Sequence, residues 1–238
     1  MYEHTNKKSI KNLFNNIADS YDKLNFLMSF GMQKLIKKSA VKKVLKKVSH
    51  KPLRILDLCC GTGDIVKFFK EQCPNVEIIA VDFSQQMLDI ARCKYPNIQF
   101  IQKDVLDLGE DFPFEKNSFD ICFISFGLRN LPDIDLFLNY IYQYLRPSGI
   151  LSILDLGKPT WYLSWYFKFH YAVIIPFMAK LCAKDFFAYK YLVNSAKRYP
   201  AQEEILKKLL SAGYIECENI NYFGGIIAQQ VARVANLI

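Results

Sequence analysis

Arg54-Ile55-Leu56-Asp57-Leu58-Cys59-Cys60-Gly61-Thr62-Gly63-Asp64 runs an apolar strand directly into a glycine turn and then into a helix. Lacking Cβ atoms, Gly61 and Gly63 let the backbone fold tightly and approach a ligand, while Asp57 at the strand end can meet a positive group. The next strand is Val76-Glu77-Ile78-Ile79-Ala80-Val81-Asp82. Asp82 ends it about 20 residues after the glycines, where a carboxylate can hold ribose hydroxyls. Together these features point to an adenosine-containing cofactor.

A dinucleotide site requires Gly-x-Gly-x-x-Gly, but counting from Gly61 the third position is Val66, which disfavours NAD and FAD. Asp57, Gly61 and Gly63 instead match the Asp-x-Gly-x-Gly-x-Gly spacing of class I S-adenosylmethionine methyltransferases, with Cys59 in place of the first Gly. Taken alone, this loop also fits a Rossmann-like enzyme of another chemistry.

The rest of the chain narrows the choice. In order come Tyr21-Asp22-Lys23-Leu24-Asn25, Ser29-Phe30-Gly31, Asn117-Ser118-Phe119-Asp120 and Phe126-Gly127-Leu128-Arg129-Asn130-Leu131, then Leu145-Arg146-Pro147-Ser148-Gly149, Tyr191-Leu192-Val193-Asn194-Ser195, Tyr199-Pro200 and Gly224-Gly225. From about Phe14 to Arg233 the chain resembles the C-methyltransferase family of menaquinone and ubiquinone biosynthesis. The general methyltransferase fold does not require the Phe126 to Asn130 run, which makes it the most specific element.

A length of 238 residues with no repeat or Pro/Gly/Ser-rich linker predicts a single domain over 1–238. Within it we expect an N-terminal helical cover over 1–50 and a helical, aromatic-rich substrate insert over 160–196. Seven cysteines without Cys-x-x-Cys spacing argue against a disulfide framework or a zinc site. No metal is expected, and a reducing compartment, cytoplasm or plastid stroma, fits best. The polar start, Met1 to Asn12, predicts no signal peptide.

Periodicity predicts helices over 8–20, 33–48, 63–72, 85–94, 134–146 and 201–211, and strands near 53–58, 76–81, 98–101, 119–125 and 149–155. Tyr214 to Tyr222 and Ile226 to Val234 read as a closing antiparallel pair. This alternation predicts an α/β fold with a mostly parallel sheet. The resemblance implies a Rossmann-like, seven-stranded sheet of order 3-2-1-4-5-7-6, helices on both faces, and a helical lid.

It also implies roles. Asp57, Gly61, Thr62 and Gly63 would form the cofactor loop, Asp82 would hold the ribose, and Asp104 with the backbone of Val105 would read the adenine. Thr62 and Ser125 would touch the methionine portion of S-adenosylmethionine. For Asp104 and Ser125 the plain alternative is a helix cap or turn. On the substrate side, Arg129 would act as a fixed cation favouring an ionised quinol, with Tyr21, Asp22 and Asn130 in support. The alternatives are that Tyr21-Asp22 caps a helix and that Arg129 pairs with a carboxylate.

The net charge of +8 fits nucleic acid, an anionic membrane surface, or solubility. Lys34, Lys37, Lys38, Lys42, Lys43, Lys46 and Lys47 alternate with apolar residues, as in a helix lying on anionic headgroups or one packed on the domain. The expected partners are a polyprenylated quinol and, peripherally, the membrane; nucleic acid is not expected, and a homodimer is compatible. The aromatic run over 161–178 is too interrupted to span a bilayer. Two departures from the family pattern, Gln230 at a common His position and the Cys59-Cys60 pair, leave the quinol open between demethylmenaquinol, demethylphylloquinol and a ubiquinol precursor. A noncatalytic S-adenosylmethionine-binding protein at the membrane remains the rival from another class.

Overall fold

Strands that are apolar on both sides must be covered on both sides, because successive side chains point to opposite faces of a sheet. In the computed structural model, which describes residues 7–48, 53–107, 112–163, 165, 173 and 186–236, this is how the core divides. Ile55, Ala80, Phe123 and Leu154 face one apolar cluster and their chain neighbours Leu56, Val81, Ile124 and Ile153 face another.

The strands are β1 (Arg54–Leu58), β2 (Glu77–Asp82), β3 (Gln99–Gln102), β4 (Phe119–Ser125), β5 (Leu145–Leu156), β6 (Ile215–Tyr222) and β7 (Ile227–Arg233). Their order is β3-β2-β1-β4-β5-β7-β6, as the resemblance implied. The first five strands pair in parallel, and β7 runs antiparallel to both β5 and β6. Helices α2 (Met32–Leu45), α3 (Asp64–Gln72) and α4 (Gln85–Lys94) cover one face. Helices α5 (Ile134–Tyr144) and α7 (Gln202–Ser211) cover the other. Gln230, at the position where a His is common, bonds Asn219 Oδ1 at 2.7 Å across the β6–β7 pair, so its work is in the sheet.

The first helix is longer than expected. α1 (Lys7–Met28) carries Tyr21-Asp22-Lys23-Leu24-Asn25 inside it, so the motif does not cap a helix. The chain turns only at Gly31, whose φ of 74° suits glycine. α1 lies against α4 and against α6 (Phe186–Arg198). Of the aromatic insert expected over 160–196, most lies outside the described residues; within them are a short helical turn, Trp161–Leu163, and α6.

The lysine-rich helix α2 corrects one expectation. Lys37 does not belong to a solvent-facing stripe: it is buried and bonds Asp64 at the start of α3 at 2.9 Å. Its ammonium also lies 5.6 Å from the Phe126 ring centroid. Lys43 of the helix lies over the Tyr222 ring, Lys38 pairs with Glu71, and Lys47 just beyond the helix pairs with Glu218. Lys34, Lys38, Lys42 and Lys46 remain exposed. Among the described residues no helix is long and apolar enough to cross a membrane.

Burial alone would raise the Asp64 carboxyl, but Lys37, with Lys94 and Lys34 adding to it, more than offsets this and holds the group below its usual value. A lowered carboxylate contributes stability above its unfolded pKa and loses it as pH falls through the folded one. Lys37→Met should therefore cost about 1.5–3 kcal/mol at neutral pH, with the deficit shrinking as Asp64 protonates in acid. Urea unfolding at several pH values measures this, and a deficit independent of pH would disprove the linkage.

Candidate functional site

The turn after β1 takes a left-handed backbone at alternate residues, with φ of 54° at Cys59, 54° at Gly61 and 86° at Gly63. Glycine adopts these angles freely; Cys59 adopts one at a steric cost where the motif ordinarily has Gly. Gly63 opens α3, and a Cβ there would meet the Tyr95 ring at 3.0 Å. The turn is pinned from the next strand: the Gly61 amide donates to Asp82 Oδ2 at 2.8 Å, and the Ser84 amide donates to Asp82 Oδ1 at 2.9 Å. Burial raises the Asp82 carboxyl to about 6, against the pull of these and other amide donors.

Asp57 sits in β1 between Ala80 of β2 and Phe123 of β4. It is fully buried, and neither carboxylate oxygen has a hydrogen-bond partner among the described residues. Burial pushes its pKa well up; Lys37 opposes this, and Asp82 and Asp64 add to it. The thiol of Cys59 is raised by burial and then by four carboxylates, Asp82, Asp104, Asp57 and Asp155. Cys59 therefore stays a thiol, and the turn is strongly acidic. With Lys37 committed to Asp64, this surrounding favours a cationic ligand. A cofactor that brings an ammonium and a sulfonium suits it, and the orphaned Asp57 carboxylate fits such a group.

A cavity of about 610 Å³ opens beside the turn. One part of its wall is Gly61, Asp82, Met87, Asp104 and Val105, and another is Phe126, Gly127, Arg129, Asn130 and Leu131. Ile10, Phe14 and Tyr21 of α1 close a third side, and Tyr191, Arg198 and Tyr199 contribute from α6 and just beyond. The cover is fastened by hydrogen bonds: Ser84 Oγ donates to Asn15 Oδ1 at 2.7 Å, and Thr62 Oγ1 donates to Asp22 Oδ1 at 2.6 Å.

The structure thus brings Tyr21, Gly61, Asp82, Asp104, Val105, Arg129 and Asn130 to one cavity. Asp57, Thr62, Gly63, Ser125 and Asp22 lie off its wall. Thr62 and Asp22 spend their side chains on each other, and Asp22 also meets Lys94. Ser125 ends β4 with its hydroxyl buried and unpartnered among the described residues. Asp104 accepts the Leu106 amide at 2.8 Å, so it holds its own turn as well as lining the cavity.

Arg129 has the partner that the plain alternative foresaw. Its Nη1 lies 2.6 Å from Asp155 Oδ1, and both side chains are buried. Asp155 accepts from the Arg129 amide at 3.1 Å and the Leu156 amide at 2.8 Å as well. Arg129 Nη1 also donates to the Phe126 carbonyl at 2.8 Å, which fixes the turn. The Tyr191 hydroxyl meets Asn130 Oδ1 at 3.1 Å. Asp155 escaped the sequence reading, although a lone carboxylate in Leu154-Asp155-Leu156, within a buried strand, is a signal that a cation must answer it.

The sequence profile described as the ubiE/COQ5 methyltransferase family matches residues 2–233. The demethylmenaquinone methyltransferase of Lactococcus lactis is 34% identical over 236 residues, covering 95% of this chain and 90% of that protein. The protein of the same name from Oceanobacillus iheyensis is 32% identical over 235 residues, covering 97% of each. Among solved structures, an S-adenosylmethionine-dependent methyltransferase from Thermotoga maritima superposes with a TM-score of 0.67 at 18% identity, covering 94% of this chain and 99% of that one. At that identity the likeness speaks for the fold alone.

Proposed function

Because the chain belongs to the ubiE/COQ5 methyltransferase family, and is thus an S-adenosylmethionine-dependent methyltransferase, we propose that it methylates a ring carbon of a polyprenylated demethylnaphthoquinol. The observation that carries this reading is the single cavity that joins Asp82 and Val105 to the Phe126–Asn130 turn. A cofactor on the first part and a ring on the second would lie in one continuous cavity. The names of the relatives favour the naphthoquinol over a demethylphylloquinol or a ubiquinol precursor.

S-adenosylmethionine supplies a methyl group already activated on a sulfonium. What remains for the protein is to hold a nucleophilic carbon in line with it and to exclude water. Asp82 binds the ribose hydroxyls, Asp104 and the Val105 amide bind the adenine, and Asp57 answers the cofactor's positive charge. Thr62, through Asp22, holds α1 in place as a cover.

On the substrate side a phenolic proton, of pKa roughly 10, must leave before the ring carbon becomes nucleophilic. The Arg129–Asp155 pair is neutral as a whole, so it acts as a fixed dipole with its guanidinium end at the cavity. That end favours an ionised oxygen, and Asp155 and the Phe126 carbonyl keep it from moving. Asn130 and Tyr21 contact the ring.

We further propose that the protein reaches its substrate at the membrane surface. Around the turn between α1 and α2, Phe26, Phe30, Met32 and Leu35 are exposed, the last at 71%, beside the exposed Lys34 and Lys38. Apolar side chains framed by lysines suit an anionic bilayer. Binding to anionic vesicles should weaken as salt rises; equal binding to neutral vesicles would overturn this reading.

The function is tested by methyl transfer from labelled S-adenosylmethionine to demethylmenaquinol and to a demethylated ubiquinol precursor, each beside its quinone form. Label is expected on the naphthoquinol alone. Label only on the benzoquinol would reassign the substrate, and cofactor binding with label on neither would favour a noncatalytic protein. Cofactor affinity should also depend on pH, since ribose hydroxyls need a carboxylate acceptor and Asp82 titrates at about 6. The Kd should be about tenfold higher at pH 5 than at pH 8. A calorimetric Kd that stays flat over this range would take Asp82 out of the site.

A further inference from the structure

Tyr199-Pro200 is one of the runs on which the family resemblance rests, yet no role above uses it. Tyr199 follows α6, tied back to it by its own amide, which donates to the Ser195 carbonyl at 3.0 Å. Its side chain is buried, and its hydroxyl has no hydrogen-bond partner among the described residues. Ser118, Ser125 and Thr160 also carry enclosed hydroxyls without partners, but of these four residues Tyr199 alone lines the cavity. A hydroxyl taken from water with nothing to bond is unfavourable, so an enclosed orphan on a residue of the cavity wall is best explained by a ligand that reaches and completes it.

Its surroundings indicate what kind of ligand. Burial pushes the phenol well up, with Asp155 acting the same way and Arg129 opposing, so the hydroxyl keeps its proton at neutral pH and is a donor. Asp155 already accepts three donors, from Arg129 Nη1, the Arg129 amide and the Leu156 amide. Tyr191 is turned to Asn130. Tyr199 thus offers a neutral donor within electrostatic reach of a guanidinium, a pairing that suits an oxygen gaining negative charge. Hydrogen bonds from a hydroxyl to an anionic oxygen are among the strong ones.

We propose that the Tyr199 hydroxyl receives a phenolic oxygen of the substrate ring and so selects rings that carry an ionisable hydroxyl. This rests on the quinol reading of the same cavity. It makes Tyr199 a substrate-contacting residue, with the Arg129–Asp155 pair supplying the field beside it.

Tyr199→Phe removes only the hydroxyl and leaves the packed ring. The variant should melt no lower than the wild type and bind S-adenosylmethionine within about twofold of it, because the hydroxyl has no hydrogen bond to lose among the described residues. Its kcat/KM for the naphthoquinol should fall about tenfold or more, and the rising limb of the pH profile should move to higher pH. In parallel, a simple naphthol is titrated into both proteins with S-adenosylhomocysteine present, its ionisation followed by naphtholate absorbance. The wild type should lower the pKa of the bound naphthol, and the variant should return it toward the free value. Unchanged kcat/KM together with an unchanged naphthol pKa would overturn the proposal. Should the wild type transfer no methyl to a naphthoquinol, the functional reading falls, and the naphthol titration then decides Tyr199 alone: equal affinity and equal pKa in the two proteins would overturn it.

Discussion

The hydrogen bond from the Gly61 amide to the Asp82 carboxylate ties the turn after β1 to the end of β2, and the site is built around that tie. It fixes the left-handed turn that leads into α3 and holds the carboxylate that lines the cavity. The carboxylate carries an electrostatic cost: burial raises Asp82, Asp104 adds to this, and Asp82 in turn raises the buried Asp57. A ligand with positive charge relieves that crowding. The same acidity that strains the free protein suits a cofactor that carries a sulfonium.

A second buried carboxylate organises the Phe126–Asn130 wall of the cavity by the opposite means. Asp155 is answered within the protein by Arg129, so the Phe126–Asn130 turn is rigid before any substrate arrives. Removing either partner would leave an unpaired buried charge, at a cost of about 3–5 kcal/mol. One half of the cavity is thus set up to receive a cation, and the other presents a neutral pair whose positive end faces in. This polarity matches a cationic methyl donor opposite an oxygen that gains negative charge.

Much of this was legible in the sequence. The mostly parallel sheet followed from the alternation of elements, its strand order from the family resemblance, and Asp82 and the glycine turn from spacing. Three features were not legible, each because it depends on distant residues meeting. Lys37 has the periodicity of a surface lysine, and only the docking of α2 on α3 shows that Asp64 draws it inside. Asp155 looks like one polar residue in an apolar strand until β5 lies beside the Arg129 turn. Thr62 and Asp22 were assigned to cofactor and substrate, but they are 40 residues apart and bond each other, which turns both toward holding the cover.

The most direct measurement is a crystal structure of the protein with S-adenosylhomocysteine and a naphthoquinol bound together. Ribose hydroxyls are expected on Asp82, and a ring oxygen within hydrogen-bond reach of Tyr199 on the Arg129 side of the cavity. A cofactor bound away from the Gly61–Asp82 tie, or a ring bound outside the cavity that joins the two halves, would contradict this arrangement.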